Sequence, residues 1–328
     1  MRTQQRGVAL VIVLLIVAIV VILATEMTGR LQLNVKRAQN IKDNNQAQWY
    51  ANSAEAFARK SIKDLMQTES AKIHLAQPWS DEFAFPLENG GIKAKLVDMY
   101  SCFNLNALKK TSTEAQSQQR VTPVMEAFHR MLLAVELEQP IESFTADTVR
   151  DSLADWLDDD ELQRSFGAED SEYSSRPFPY LAANGLMASQ SEFRVIHGVS
   201  AQWVNALWPL ICVIPGSEEL KINVNTLTPE LAPVLAGVLG VTLQQANDLI
   251  NTRPQDGWDD IASFMAEPIV QAAQVTEVQQ EWLTVTTQYF ILHSKTRYNN
   301  ASYALSSLFY VPSPASVTVI RREIGGVE

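Results

Sequence analysis

Asp155-Trp156-Leu157-Asp158-Asp159-Asp160-Glu161, with Gly167-Ala168-Glu169-Asp170 just after it, places seven carboxylates within sixteen residues. Held close without a counter-charge, such groups repel and raise each other's pKa, so the fold needs water, an arginine or a metal ion among them. Calcium suits the pattern, being a hard cation that takes about six to eight oxygens and tolerates flexible loops. Asp158 and Asp160 follow the end of an expected helix, and Gly167 can turn the chain to return Glu169 and Asp170. The spacing is not that of an EF-hand, whose glycine and terminal glutamate are missing from their places. The candidate ligands are Asp155, Asp158, Asp160, Glu169 and Asp170, with Asp159 and Glu161 pointing to water. A solvated acidic face is the competing account.

Catalysis is not expected from these carboxylates. Glycosidase chemistry sets two carboxyls about 5–9.5 Å apart across a sugar-binding cleft, whereas these are neighbours in one loop. No Ser, Cys or His arrangement and no phosphate-binding glycine loop is evident. His74, His129, His197 and His293 are scattered without ligand spacing. Cys102 and Cys212 are the two cysteines, and in a large exported chain they read as one disulfide before they read as a metal site. Two buried free thiols remain the alternative.

The acidic cluster needs a scaffold, and 328 residues suffice for two or three compact units. With 46% hydrophobic and 19% charged residues, most of the chain is expected to fold. Twenty-six basic against thirty-seven acidic residues give a net −11. Glu136 to Glu172 holds thirteen acids against two arginines, so that stretch carries the whole excess.

Val8 to Ala24 is seventeen consecutive Val, Ile, Leu and Ala residues, roughly 26 Å as a helix and close to a bilayer core of about 30 Å. Arg2 and Arg6 precede it, and residues 1–60 hold eight basic residues against three acids, a positive-inside pattern. A signal peptide, a plain anchor and a prepilin-type leader ending at Gly7 compete here. The third accounts for Gly7, whereas Ile22-Leu23-Ala24-Thr25 is a poor signal-peptidase site. An amphipathic period then continues through Leu31, Val35, Ala38, Ala47, Tyr50, Ala54, Phe57 and Leu65, so one helix over 8–70 is expected to leave the membrane and dock on a sheet.

Ile92, Ala94 and Leu96 alternate with lysines after an Asn89-Gly90-Gly91 turn, and alternation returns in Leu283–Ile291, Tyr303–Val311 and Val317–Val319. One helix and about four strands give an α+β head over 71–106 and 276–328. Residues 107–275, with helical periods and proline-bounded turns, are expected to be an inserted all-α domain. Phe103-Asn104-Leu105-Asn106-Ala107-Leu108 resembles Ile222-Asn223-Val224-Asn225-Thr226-Leu227, which suggests two related SAM-like or helix-hairpin-helix-like units, about 107–215 and 216–275. Each cysteine shortly precedes one of these segments, so pairing across the repeat boundary is predicted. The second unit has Gly237-Val238-Leu239-Gly240 in its hairpin, but Lys221 and Arg253 face six acids, and a net charge of −4 opposes nucleic-acid binding.

Arg6-Gly7-Val8-Ala9-Leu10, the apolar run and Ala24-Thr25-Glu26-Met27 resemble the type II secretion minor pseudopilin K family. Asp-Trp-x-Asp-x-Asp, Gly-Ala-Glu-Asp-x-x-Tyr and the Arg176-Pro177-Phe178-Pro179-Tyr180 run extend the likeness, which covers most of the chain. The resemblance implies calcium in the helical domain, cleavage by a prepilin peptidase after Gly7 and N-methylation of Val8. Pilin-like proteins mostly carry Glu at the fifth mature position, where this chain has Ile12; pseudopilin K is the exception, which suits a filament tip with no neighbour above. The implied protein is non-catalytic and single-pass in a Gram-negative inner membrane, with its bulk in the periplasm. It would start pseudopilus assembly with minor pseudopilins I and J, above minor pseudopilin H and the major pseudopilin G, at the inner-membrane assembly platform. A substrate-recruiting adaptor and a type IV pilus assembly protein are the alternatives.

Overall fold

A computed structural model describes residues 8–109 and 121–325. In chain order, α1 (Val8–Thr68) leads into β1 (Phe83–Leu87), β2 (Gly90–Asp98) and a two-residue β3 (Phe103–Asn104). A helical block follows: α2 (Pro123–Leu133), α3 (Ser143–Leu157), α4 (Asp170–Ser174), α5 (Val204–Leu207), the short β4 (Ile211–Cys212) and β5 (Ile222–Asn223), α6 (Ala232–Leu239), α7 (Leu243–Thr252), α8 (Ile261–Met265), α9 (Pro268–Ala273) and α10 (Glu277–Trp282). The chain returns through β6 (Leu283–Thr284) to β7 (Tyr289–Tyr298), β8 (Ala301–Ser313) and β9 (Ser316–Ile324).

The 61 residues of α1 span about 92 Å at 1.5 Å per residue. None before Ala47 is buried, and the first apolar stretch is long and apolar enough to cross a membrane, with a mean hydropathy of 3.5 over 18 residues. From there Ala47, Ala51, Ala54, Ala58, Ile62 and Met66, three or four residues apart, form the buried face. Small side chains let the helix lie close on the sheet, where the Thr296 hydroxyl donates to the Ala47 carbonyl at 2.7 Å. Phe57, assigned to this face from its period, is instead half-exposed and stacks on Phe83 at 4.9 Å. Glu55 is the charged member of the interface. It receives Arg322 through both oxygens, at 2.6 and 2.8 Å, and the Ser307 hydroxyl at 2.8 Å. These bonds hold its carboxyl below the ordinary glutamate value.

The sheet is antiparallel in the order β1-β2-β7-β8-β9. It has five strands against about four expected, because the Phe-Ala-Phe-Pro-Leu segment before Asn89 pairs with β2 as an edge strand. The expected continuous alternation from Leu283 to Ile291 is divided. Leu283–Thr284 joins β5 in a parallel pair, and β7 turns Phe290 and Leu292, not Tyr289 and Ile291, toward α1. Tyr289 and Ile291 pack on the other side with Met99, Tyr100, Ile214 and Leu308, around the bonded pair Cys102–Cys212.

The helical region expected over 107–275 runs on to Trp282 and is laced by two short parallel pairs, β3 with β4 and β5 with β6. Its two units share one core, from Phe103 and Phe128 to Trp258 and Phe264. α6 crosses α2 at Gly237, where a Cβ would lie 2.5 Å from the Ala127 carbonyl oxygen. That glycine, assigned to the hairpin from sequence, serves helix packing; the turn itself is at Gly240.

The Asn-rich repeat is carried into hydrogen bonding. Asn106 takes the Met187 amide at 2.8 Å and donates to the Met187 carbonyl at 3.0 Å; Asn225 treats Trp258 the same way, at 2.8 and 2.9 Å. Asn223 also donates to the Ile73 carbonyl and to Asp98.

The disulfide closes a loop with a sequence separation of 110 that contains the first helical unit. Loop-closure entropy for such a span is about 4–5 kcal/mol. The double variant Cys102→Ala/Cys212→Ala is expected to lose about 2–5 kcal/mol in urea unfolding, and wild-type protein under reducing conditions should match it. Equal midpoints in all three samples would contradict this.

Candidate metal centre

α3 ends in the acidic cluster because Asp151 and Asp155 lie one turn apart on a helix face that the following loop covers. Asp151 accepts the Phe166 amide at 3.3 Å and Asp155 the Arg164 amide at 3.1 Å. The Asp151 carboxylate is also paired to Arg150 at 2.7 Å, and Arg150 reaches Asp147, beside His129. Gly167 is required by the same closure: a Cβ there would fall 1.9 Å from Asp155 Oδ2.

The five predicted ligands divide into two groups. Asp160 Oδ1 accepts the Leu162 amide and Asp170 Oδ1 the Ala182 amide, each at 2.8 Å, so part of their role is to shape turns. Asp155, Asp158 and Glu169 sit deeper. The Arg164 guanidinium lies 3.2 Å from Asp155 and 3.5 Å from Asp158. Asp158 Oδ1 and both Glu169 oxygens are buried without a hydrogen-bond partner, while Asp155 Oδ1 is met by the Arg164 guanidinium as an ion pair. Burial first, and then neighbouring carboxylates, push Asp155 up to about 8, Asp158 to about 6 and Glu169 to about 7. Asp159, expected to face water, is ion-paired at the surface to Lys109 at 2.8 Å.

A hard cation fits the chemistry of this set: oxygen donors only, three of them orphaned, and three buried carboxyls against one guanidinium. The fit is not a finished cage, since no three His, Cys, Asp or Glu side chains among the described residues are gathered around one point. Arg164 is the residue that sequence reasoning missed. Its signal was there, as Arg150 and Arg164 are the two cations within the acidic stretch, and both are used against it.

Trp156, between the deep aspartates, meets Tyr173 edge-on at 5.3 Å, and Tyr173 stacks on Tyr180. Arg176 covers both tyrosines, bonds the Tyr180 hydroxyl, and leaves Phe178 86% exposed at the loop apex. In the second unit Arg253 donates to the Val224 and Leu227 carbonyls and Lys221 to the Glu281 carbonyl, so both cations of the hairpin unit are occupied by backbone. Of the processing residues, Val8 begins α1 and Gly7 lies outside the described residues.

Profiles described as type II secretion system (T2SS), protein K match residues 101–216 and 222–286. The type II secretion system protein K of Aeromonas hydrophila is 33% identical over 99% of this chain and 98% of its own length. The chain belongs to the type II secretion system protein K family. The Klebsiella pneumoniae protein K is also 33% identical, over 94% of this chain and 93% of its own. A solved relative, from the GspK-GspI-GspJ complex of enterotoxigenic Escherichia coli, superimposes with a TM-score of 0.77 at 30% identity, covering 89% of this chain and 99% of that one. The type IV pilus alternative gives way to this family.

A carboxyl whose folded pKa is raised weakens the fold above that value and not below its unfolded one. At pH 8 with chelator, Glu169→Gln is therefore expected to stabilise the protein by about 1–2 kcal/mol in thermal unfolding. A lower melting temperature than wild type under those conditions would contradict the repulsion.

Proposed function

We propose that this chain is a non-catalytic minor pseudopilin at the tip of the type II secretion pseudopilus, where it starts assembly with minor pseudopilins I and J. It is single-pass in the inner membrane with its head in the periplasm, cut by the prepilin peptidase after Gly7 and methylated on Val8, with minor pseudopilin H and the major pseudopilin G below it. The observation that carries the reading is the build of α1: none of its residues before Ala47 is buried within the chain, while its remainder holds a head enlarged by a helical insertion. A bare apolar helix half needs a neighbour or a lipid, and an insertion of that bulk is easiest to place where no other pseudopilin sits above. The solved relative is described as a complex with GspI and GspJ, which supports the same partners here.

Calcium is the proposed ligand of Asp155, Asp158 and Glu169, with Asp160 and Asp170 shaping the loop. The ion would supply the positive charge that these buried oxygens lack; the chain's part is to orient them and exclude water.

Three measurements test the proposal. Mass spectrometry of the mature protein should find methylated Val8 at the amino end; a start near Thr25 contradicts the membrane-anchored reading. The soluble head should co-purify with I and J heads without any secreted protein present, whereas binding only to secreted substrates favours the adaptor. Calcium at a hundred times its dissociation constant should add about 2.7 kcal/mol of stability, and no calorimetric heat at millimolar calcium would sink the metal.

A further inference from the structure

The face of the sheet turned away from α1 gathers cations in a chain whose net charge is −11. Ile92, Ala94 and Leu96 pack toward the helix, so Lys93 and Lys95 point the other way, and on β7 His293, Lys295 and Arg297 do the same. All five are exposed. The register sets Lys93 directly opposite Lys295, and Lys95 opposite His293. Like charges so placed weaken a strand pair, and sheet stability therefore does not account for them. Beside that row β8 contributes small side chains: Ser302 opposite Arg297, Ala304 opposite Lys295 and Ser306 opposite His293. The result is a shallow strip of hydroxyls and one methyl group along a wall of long cations. Acids stand at its rim: Glu82 on Lys93 at 3.2 Å, with both side chains more than half exposed, Glu323 on Arg321 at 3.2 Å, and Glu230, whose carboxyl Thr228 and then Lys95 hold below its ordinary value. Exposed pairs of this kind contribute little and can exchange for other partners.

The face has a definite direction. Thr296 meets α1 at Ala47, and Ser307, opposite Leu292, meets it at Glu55. Eight residues of helix, about 12 Å, thus run beside four of strand, about 13 Å, so the strands lie along α1. The basic face stands upright on the membrane anchor and looks away from the stem that filament neighbours would share. A flat lipid surface would meet its lower end alone. An extended chain meets all of it, because alternate residues of a strand are about 6.7 Å apart, the interval that separates Lys93 from Lys95 and Lys295 from Arg297.

We infer that this face is a docking surface for an extended acidic segment of a protein partner, with Asp or Glu at alternate positions set against Lys93, Lys95, Lys295 and Arg297. Its orientation rests on the filament reading above; its chemistry does not. The partner approaches from outside the bundle of stems, so the contact is separate from those with minor pseudopilins I and J.

A fluorescent peptide of alternating Glu and Thr tests the surface on the full chain in uncharged detergent. Binding is expected at low salt, and its loss as the Debye length shrinks from about 10 Å at 0.1 M to about 3 Å at 1 M. Lys93→Glu/Lys95→Glu should weaken it roughly tenfold or more, and Lys93→Gln/Lys95→Gln by less. Neither change should lower the melting temperature, since each relieves like-charge pairs. Both variants should still co-purify with I and J heads. A wild type that ignores the peptide overturns the docking surface and leaves the pseudopilin reading intact, as do variants that bind like wild type. Lysine-dependent binding to phosphatidylglycerol vesicles without peptide binding also overturns it, in favour of a lipid surface. Loss of I and J from the charge-reversed variant alone would make the face a subunit contact and overturn the outward assignment, whereas their absence from wild type is a failure of the pseudopilin reading.

Discussion

A carboxylate taken out of water must have its donors in place before the chain around it can close, and Asp98 imposes that condition on this fold. It ends β2 at 1% exposure and accepts from the Tyr100 amide, the Asn223 amide group and the Thr226 and Thr287 hydroxyls. Burial pushes its pKa up and the four donors pull it back. Those donors come from the exit of the sheet, the second Asn-rich segment and the entry to β7, while Asn223 reaches on to the Ile73 carbonyl beyond α1. The head and the helical block therefore meet through one shared charge, with the Cys102–Cys212 bond and its apolar neighbours beside it. Neither half can adopt its connection without the other.

What was legible in the sequence was local. The acidic cluster, the Asn-x-Asn repeats and the alternation of β2 and β9 are each defined within a few residues, and each occurs where it was expected; β8 is a strand as expected, but Leu305 to Phe309 are all buried in place of alternating. The repeat is more than a likeness, since Asn106 and Asn225 grip a remote residue through the same pair of bonds. What escaped depends on partners far along the chain. β1 is short, contains Pro86 and has three of its five residues exposed, so only its pairing with β2 makes it a strand. The face of β7 could not be read because Tyr289 and Ile291 are as apolar as Phe290 and Leu292; packing on both sides of the sheet makes either phase acceptable. The five carboxylates were visible as a group, but which were deep and which shaped turns was settled by Arg164 and by backbone amides, neither of which has a pattern of its own.

The acidic site illustrates how one constraint produces several others. A loop that must bring its amides to Asp151 and Asp155 passes so close to α3 that Gly167 has no room for a side chain. The same closure removes Glu169 from solvent without giving it a donor. The instability thus stored is local, and it shows as the raised pKa values of Asp155 and Glu169.

The interface between α1 and the sheet has a mechanical consequence. If the apolar run ends at Ala24 within the bilayer, the 22 residues before Ala47 hold the head about 33 Å from the lipid. Traction along the helix would meet the head at an alanine seam crossing β7 and β8 and at the Glu55–Arg322 clamp on β9, all of which resist as bonds loaded in shear. The helical insertion joins the sheet on the face away from α1 and also grips the segment just beyond that helix, through Asn223 on the Ile73 carbonyl and Lys72 on Asp256 and Asp259, so a pull on α1 would reach it by a second route.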